Sequence, residues 1–172
     1  MLIVELFFLI LLLVFVVLCF WYFLDALFCK EDYVTNNETT RKIGEFLNAY
    51  SSQKNIFYDL GSSRGGFVLD IIERCPQLQI TAVDNSRIRI LISKLRAFIS
   101  NKKITFLKKD IFLTDVSKAD FVYVYVPRIL LPELAVKLKK ELHPGSMVIT
   151  SRIAFSDWQP HKIISKNPGN EN

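Results

Sequence analysis

The chain has 172 residues, 51% of them hydrophobic, and a formal net charge of +5. That length allows one domain plus an appendage and excludes two sizeable domains. Three cysteines (Cys19, Cys29, Cys75) with no C-x-x-C pair and no histidine at ligand spacing imply neither a disulfide framework nor a metal site.

The hydrophobic content is concentrated at the start. Leu6 to Leu24 is nineteen consecutive residues without charge, Gly or Pro. At about 1.5 Å per residue, such a helix nearly matches a ~30 Å hydrocarbon core. Trp21 and Tyr22 fall at its end, where an interfacial aromatic belt is expected. A secretory signal would carry basic residues before the run and a small-x-small cleavage site after it, but Glu5 precedes it and Trp21-Tyr22-Phe23-Leu24 closes it. A buried core helix would show a polar stripe. The expectation is a transmembrane anchor over residues 1–29. All 22 basic residues lie from Lys30 onward, against 15 of the 17 acids, so this part carries a formal +7. The positive-inside tendency places it on the cytoplasmic or an equivalent side. A basic surface of this kind is either solvated or faces anionic lipid headgroups. No run interleaving basic and aromatic residues argues for nucleic acid as a partner.

Phe28 to Thr35 reads as a linker. Thr35-Asn36-Asn37-Glu38 has capping-box spacing, and Ile43, Phe46, Leu47 and Tyr50 recur behind it at helical spacing. A first strand is expected over 55–59, a helix over 66–74 stopped by Pro76, and a second strand over 80–84. Ser86 is placed to cap the next helix, whose apolar face is read as Ile88, Leu91, Ile92, Leu95 and Phe98 or Ile99. Strands follow at 104–108 and 120–126. A helix opened by Pro132 follows, with Leu131, Leu134, Leu138 and Leu142 on one face. A fifth strand spans 146–151, and 162–165 is a candidate sixth. Strands alternating with helical segments imply an α/β domain with a doubly wound, mostly parallel sheet. The domain divisions are therefore an anchor (1–29), a linker with an amphipathic helix (30–54), the α/β domain (55–166) and a disordered tail (167–172).

In such a sheet, ligands bind where the strands end. Asp59-Leu60-Gly61-Ser62-Ser63-Arg64-Gly65 is a strand end running through a glycine-bearing loop into a helix, a turn that lets backbone amides approach a polar cofactor. Asp84 lies 19 residues beyond Gly65, the spacing at which nucleotide-binding α/β units place the acid that accepts ribose hydroxyls. His143 and His161 form no catalytic constellation, and Ser62 and Ser63 have no His–Asp partners in order.

These elements resemble the motifs of class I S-adenosylmethionine-dependent methyltransferases. Asp59 to Gly65 is similar to their first motif, Val83-Asp84 to the acid after strand two, Lys109-Asp110-Ile111 to the acidic motif beside the adenine, and Leu142-His143-Pro144-Gly145 to the turn before strand five. An apolar span followed by Tyr33-Val34-Thr35, then the loop, then Tyr125-Val126-Pro127 and a late Trp158-Gln159-Pro160 resembles the small membrane-anchored protein-lysine methyltransferases. Members of that family modify the mitochondrial adenine nucleotide translocase and the c subunit of ATP synthase.

The resemblance implies S-adenosyl-L-methionine as cofactor, held by Asp59, Gly61, Ser62, Gly65, Asp84 and Asp110. It also implies a lysine acceptor on a membrane-associated protein, with Tyr125 and Pro127 as candidate catalytic residues and no metal. Tyr123 is either part of the acceptor wall or ordinary strand packing, and Trp158 either closes the pocket or covers the sheet. The family's loop is typically Gly-Ser-Gly-Asp-Gly. Ser63 in place of a glycine is tolerated if its φ is negative, and Arg64 in place of the acid opposes a cationic cofactor unless it points to solvent. Methyl transfer to a lipid or quinone, and a non-catalytic nucleotide-binding or scaffolding module on the membrane, are the alternatives.

Overall fold

The computed structural model describes residues 2–28, 35–51, 55–151 and 153–164. The expected linker at 30–34, Cys29, the helix end at 52–54, Ser165 and the tail at 167–172 lie outside the described residues. The chain divides into two units, Met1–Asp32 and Tyr33–Asn172.

Among its described residues, the first unit is one helix, α1 (Leu2–Phe28). Within it, Ile3–Phe23 is long and apolar enough to cross a membrane, and none of that stretch is buried.

The second unit is a five-stranded parallel sheet with helices on both faces. In chain order it runs α2 (Asn37–Tyr50), β1 (Ile56–Leu60), α3 (Gly66–Arg74), β2 (Gln79–Asp84), α4 (Arg87–Ile99), β3 (Thr105–Lys108), β4 (Phe121–Val124), α5 (Leu131–Glu141) and β5 (Met147–Thr150). The strand order is β3-β2-β1-β4-β5, and every pairing is parallel. Connections leave β1 and β4 in opposite directions across the sheet, so the crevice between their carboxyl ends is the switch point.

Alternation along the strands splits the core in two. Phe57, Ile80, Ala82, Phe106, Phe121, Tyr123 and Ile149 face α2, α3 and α4. Leu60, Val83, Val122 and Val124 face α5, through Leu131, Leu134, Ala135 and Leu138. Strands buried on both faces explain why β4, Phe121-Val122-Tyr123-Val124, is apolar throughout.

Three expectations need correction. The cap of α2 is Asn36, whose side chain accepts from the Thr39 amide at 2.7 Å, and not Thr35. Residues 162–164 are irregular, so no sixth strand is present among the described residues. Ser86 does cap α4, its hydroxyl accepting from Arg89 N at 3.3 Å. However, the buried residues of α4 are Ile90, Ser93 and Ala97, while Leu91, Leu95, Phe98 and Ile99 are exposed. The loop at Gly65 causes this. A Cβ there would meet Ser93 Cβ and Oγ at 3.0 Å, so α4 approaches the loop closely and only small side chains fit between them.

Candidate active site

The loop after β1 is fastened to the end of β2. The amides of Gly61 and Ser62 both donate to the Val83 carbonyl at 2.9 Å, and the Gly65 amide closes back onto Ser62 O at 3.0 Å. Three loop residues are left-handed: Gly61 (φ 94°), Ser63 (φ 48°) and Gly65 (φ 71°). Gly61 is required on two counts. Its φ disfavours a side chain, and a Cβ would lie 3.0 Å from Val126 Cγ1 and 3.3 Å from the Tyr125 carbonyl. Ser63 is therefore not in the negative-φ conformation under which its presence was expected to be tolerated.

Asp84 is what holds Ser63 there. Its Oδ2 accepts from the Ser63 amide at 3.0 Å, its Oδ1 accepts from the Ser86 amide at 2.8 Å, and Arg89 Nη1 stands 3.8 Å from Oδ2. The carbonyl of Asp84 accepts from Lys109 N at 3.1 Å, bringing the segment after β3 against the end of β2. Arg64 is half-buried, and its carbonyl accepts from Arg96 Nη1 at 3.0 Å.

Asp59 sits in register between Ala82 of β2 and Tyr123 of β4, so these side chains share the face toward α3. It is 2% exposed, and its Oδ1 has no hydrogen-bond partner among the described residues. Burial, and next the neighbouring charge of Asp84, push its carboxyl well above the usual aspartate range. Ser62 Oγ is likewise buried without a partner among the described residues. Tyr123 is fully buried. Its ring stacks on Phe67 at 4.0 Å between centroids, and its hydroxyl lies 2.7 Å from Thr35 Oγ1. Burial raises the Tyr123 hydroxyl well above its ordinary value. The bond with Thr35 opposes that rise and the Asp59 charge adds to it, so the phenol stays protonated.

The sequence-predicted residues thus fall into two groups. Asp59, Gly61, Ser62, Gly65 and Asp84 converge on one loop. Tyr125 joins them from just past the end of β4: its carbonyl passes Gly61, and its buried ring stands 6.3 Å from that of Tyr123. Pro127 is exposed beyond the strand end, where its carbonyl accepts from Leu130 N at 3.0 Å. Asp110 is exposed as well and caps the short turn after β3, its Oδ1 accepting from Phe112 N at 2.9 Å. Trp158 packs on the α5 side, stacked on Phe155 at 4.6 Å, so it covers that sheet face. Reading from sequence missed Arg89, Ser93 and Phe67 as parts of the site. An arginine five residues after the strand-end acid was the available signal for the first.

The family profile described as the ANTKMT methyltransferase domain matches residues 59–162. The chain belongs to this family. It is a methyltransferase dependent on S-adenosyl-L-methionine. A protein-lysine N-methyltransferase of Saccharolobus islandicus is 27% identical over 123 residues, covering 70% of this chain and 76% of that one. A carboxy-S-adenosyl-L-methionine synthase of Shewanella frigidimarina is 32% identical over 134 residues, covering 72% of this chain but only 55% of the synthase. Among solved structures, an RNA methyltransferase from Salinibacter ruber in complex with S-adenosyl-L-homocysteine shares the fold. Its TM-score is 0.69 at 20% identity, over 76% of this chain and 84% of that one.

The residues present fit the cofactor this family uses. Asp59 Oδ1 and Ser62 Oγ, buried with no partner among the described residues, suit the cationic amino-acid moiety of the cofactor. Asp84 already accepts two backbone N–H groups. A carboxylate offers about four lone-pair sites, so two amide bonds alone do not exhaust its acceptor capacity.

Proposed function

We propose that this methyltransferase acts on a lysine ε-amine of a membrane-associated protein. In this reading residues 1–29 are the anchor, 30–54 the connection and 55–166 the catalytic domain. The observation that carries the acceptor assignment is the pair of tyrosine rings at the end of β4. Tyr123 and Tyr125 are both buried and stand 6.3 Å apart, beside the carboxylate of Asp59. The likeness to a protein-lysine N-methyltransferase supports the same acceptor.

Bound S-adenosylmethionine supplies a methyl group activated on a sulfonium. The protein's share of the work is alignment, so positioning carries much of the barrier reduction. Asp59 and Ser62 fix one end of the cofactor, and Asp84 with Asp110 orients the nucleoside end. Lysine must arrive neutral. At a pKa near 10.4 only about one lysine in 2,500 is neutral at pH 7, and an aromatic wall at Tyr125 and Pro127 disfavours the charged form. Tyr123, buried and with its hydroxyl raised well above its ordinary value, packs behind that wall.

The membrane part of the proposal draws on Ile3–Phe23 and on the formal +7 beyond residue 29. Tethering confines the search to a surface and raises the effective concentration of targets there. The test is mass spectrometry of membrane proteins from cells with and without the intact gene, together with methyl-labelled cofactor. The expected result is a lysine-containing membrane peptide that loses methyl mass when the gene is disrupted. Label recovered only in the lipid extract, with lysine peptides unchanged, would overturn the acceptor assignment.

A further inference from the structure

α4 carries two apolar faces, and the core uses only one. Ile90, Ser93 and Ala97 pack inward. On the opposite side, Leu91 (62% exposed), Leu95 (57%), Phe98 (83%) and Ile99 (73%) form a continuous outward stripe at i, i+4, i+7 and i+8. Monomeric soluble proteins rarely expose apolar residues in such a contiguous row. The edges of the stripe are basic. Arg87 and Lys94, seven residues apart, border one side and Arg96 the other, all three exposed, with Lys103 just beyond the helix. The sequence Arg87-Ile-Arg-Ile-Leu-Ile-Ser-Lys-Leu-Arg-Ala-Phe-Ile99 contains four basic residues and no acid. Asp70 and Glu73 of α3 are close at hand, but they line a cleft of about 330 Å³ whose other walls include Arg96 and Lys102.

We infer that the outward face of α4 lies against the surface of an anionic bilayer. An apolar stripe with basic borders is the pattern of a helix lying in the interface plane, with its apolar side chains among the acyl chains and its cations at the headgroups. A protein partner would have to combine an apolar groove with dense acid on both rims, whereas an anionic lipid surface offers both at every orientation. The inference deepens the tethered reading above and rests on it. The anchor holds the chain at the membrane, and α4 gives the catalytic domain a second, reversible contact.

The test uses the full chain in vesicles of phosphatidylcholine alone and of phosphatidylcholine with 30% anionic phospholipid. Nitroxide labels are placed at Phe98→Cys and, on the opposite side of the sheet, at Lys140→Cys, with the native cysteines replaced by serine. The expected result is a label at position 98 that becomes oxygen-accessible and several-fold shielded from a polar relaxant in anionic vesicles. It should revert in pure phosphatidylcholine or in 0.5 M salt, while the label at 140 stays in water throughout. Position 98 remaining as water-accessible as 140 would overturn the inference, as would equal shielding in both lipids accompanied by spin–spin broadening, the mark of self-association. Whether the chain stays with vesicles through alkaline carbonate washing tests the anchor separately. A chain that washes off but shows salt-sensitive shielding at 98 loses the anchor and keeps the α4 contact.

Discussion

The hydroxyls of Thr35 and Tyr123 lie 2.7 Å apart and join positions 88 residues away from each other in the chain. Thr35 stands just ahead of α2, and Tyr123 is the neighbour of Asp59 across the β1–β4 pairing. This bond therefore ties the entry of the domain to the floor of the candidate site. Tyr123→Phe and Thr35→Val should each lower unfolding free energy by about 0.5–1.5 kcal/mol, the usual worth of one hydrogen bond. The double variant should cost clearly less than the sum of the two. Strict additivity in denaturant unfolding would mean that the two hydroxyls do not act on each other.

Asp59 makes the cofactor-free protein pH-sensitive. Its folded pKa is raised, by burial first and the Asp84 charge second, above the ordinary value of 3.8. Its contribution is thus fully present below pH 3.8 and is lost as pH climbs through the raised folded value. Asp59→Asn removes that penalty with little change of shape. At neutral pH the variant should melt higher than the native chain without cofactor, and the gap should shrink toward pH 4. It should also bind S-adenosylmethionine at least tenfold more weakly, because the charged partner of the ligand's cation is gone. A variant that melts lower at pH 7 would place a favourable ion pair at Asp59 in the cofactor-free protein.

The loop predicts opposite outcomes for two small substitutions. Gly61→Ala puts a Cβ at φ 94° and 3.0 Å from Val126. It should cost more than the ~1–2 kcal/mol of a left-handed non-glycine residue alone, and should lower cofactor affinity with it. Ser63→Gly relieves a residue already at φ 48°. The gain is offset by the roughly 0.5–1 kcal/mol of extra chain entropy that glycine brings to the unfolded state. Its melting temperature should stay within a few degrees of the native value, with binding unchanged or tighter. Comparing the two by calorimetry and thermal melts decides whether Asp84, and not side-chain chemistry at position 63, sets the loop.

Much of this was legible in the sequence, because strands and glycine loops have short-range signals. Asp59, Gly61, Gly65 and Asp84 are identifiable from spacing alone, and the structure puts them around one turn. What was not legible depended on tertiary contacts. Thr35 looks like a cap, but its hydroxyl is engaged by Tyr123, so Asn36 caps α2 instead. Leu91, Leu95 and Phe98 look like the core face of α4. Instead, α4 turns Ile90, Ser93 and Ala97 inward, with the small Ser93 where the helix meets Gly65. Asp110 reads as a ligand to the adenine end, and its carboxylate is at the same time the cap of a turn. Periodicity shows that a helix has an apolar face without showing which of two faces meets the sheet.

Asp84 combines two roles that substitution can separate. Its oxygens hold the Ser63 and Ser86 amides at 3.0 and 2.8 Å, and the same carboxylate is proposed to accept the cofactor's ribose hydroxyls. Asp84→Ala should weaken S-adenosylmethionine binding by about 1.5–3 kcal/mol, from roughly tenfold to more than a hundredfold in Kd. It should also lower the melting temperature through the freed loop amides. Because the Asp84 charge helps raise the Asp59 carboxyl, the pH dependence assigned to Asp59 should shift to lower pH in the same variant. Calorimetry with S-adenosylmethionine and S-adenosylhomocysteine, beside melts from pH 4 to 8, reads all three. A lower melting temperature with unchanged affinity would make Asp84 a fastener of the loop alone and move the ribose contact elsewhere.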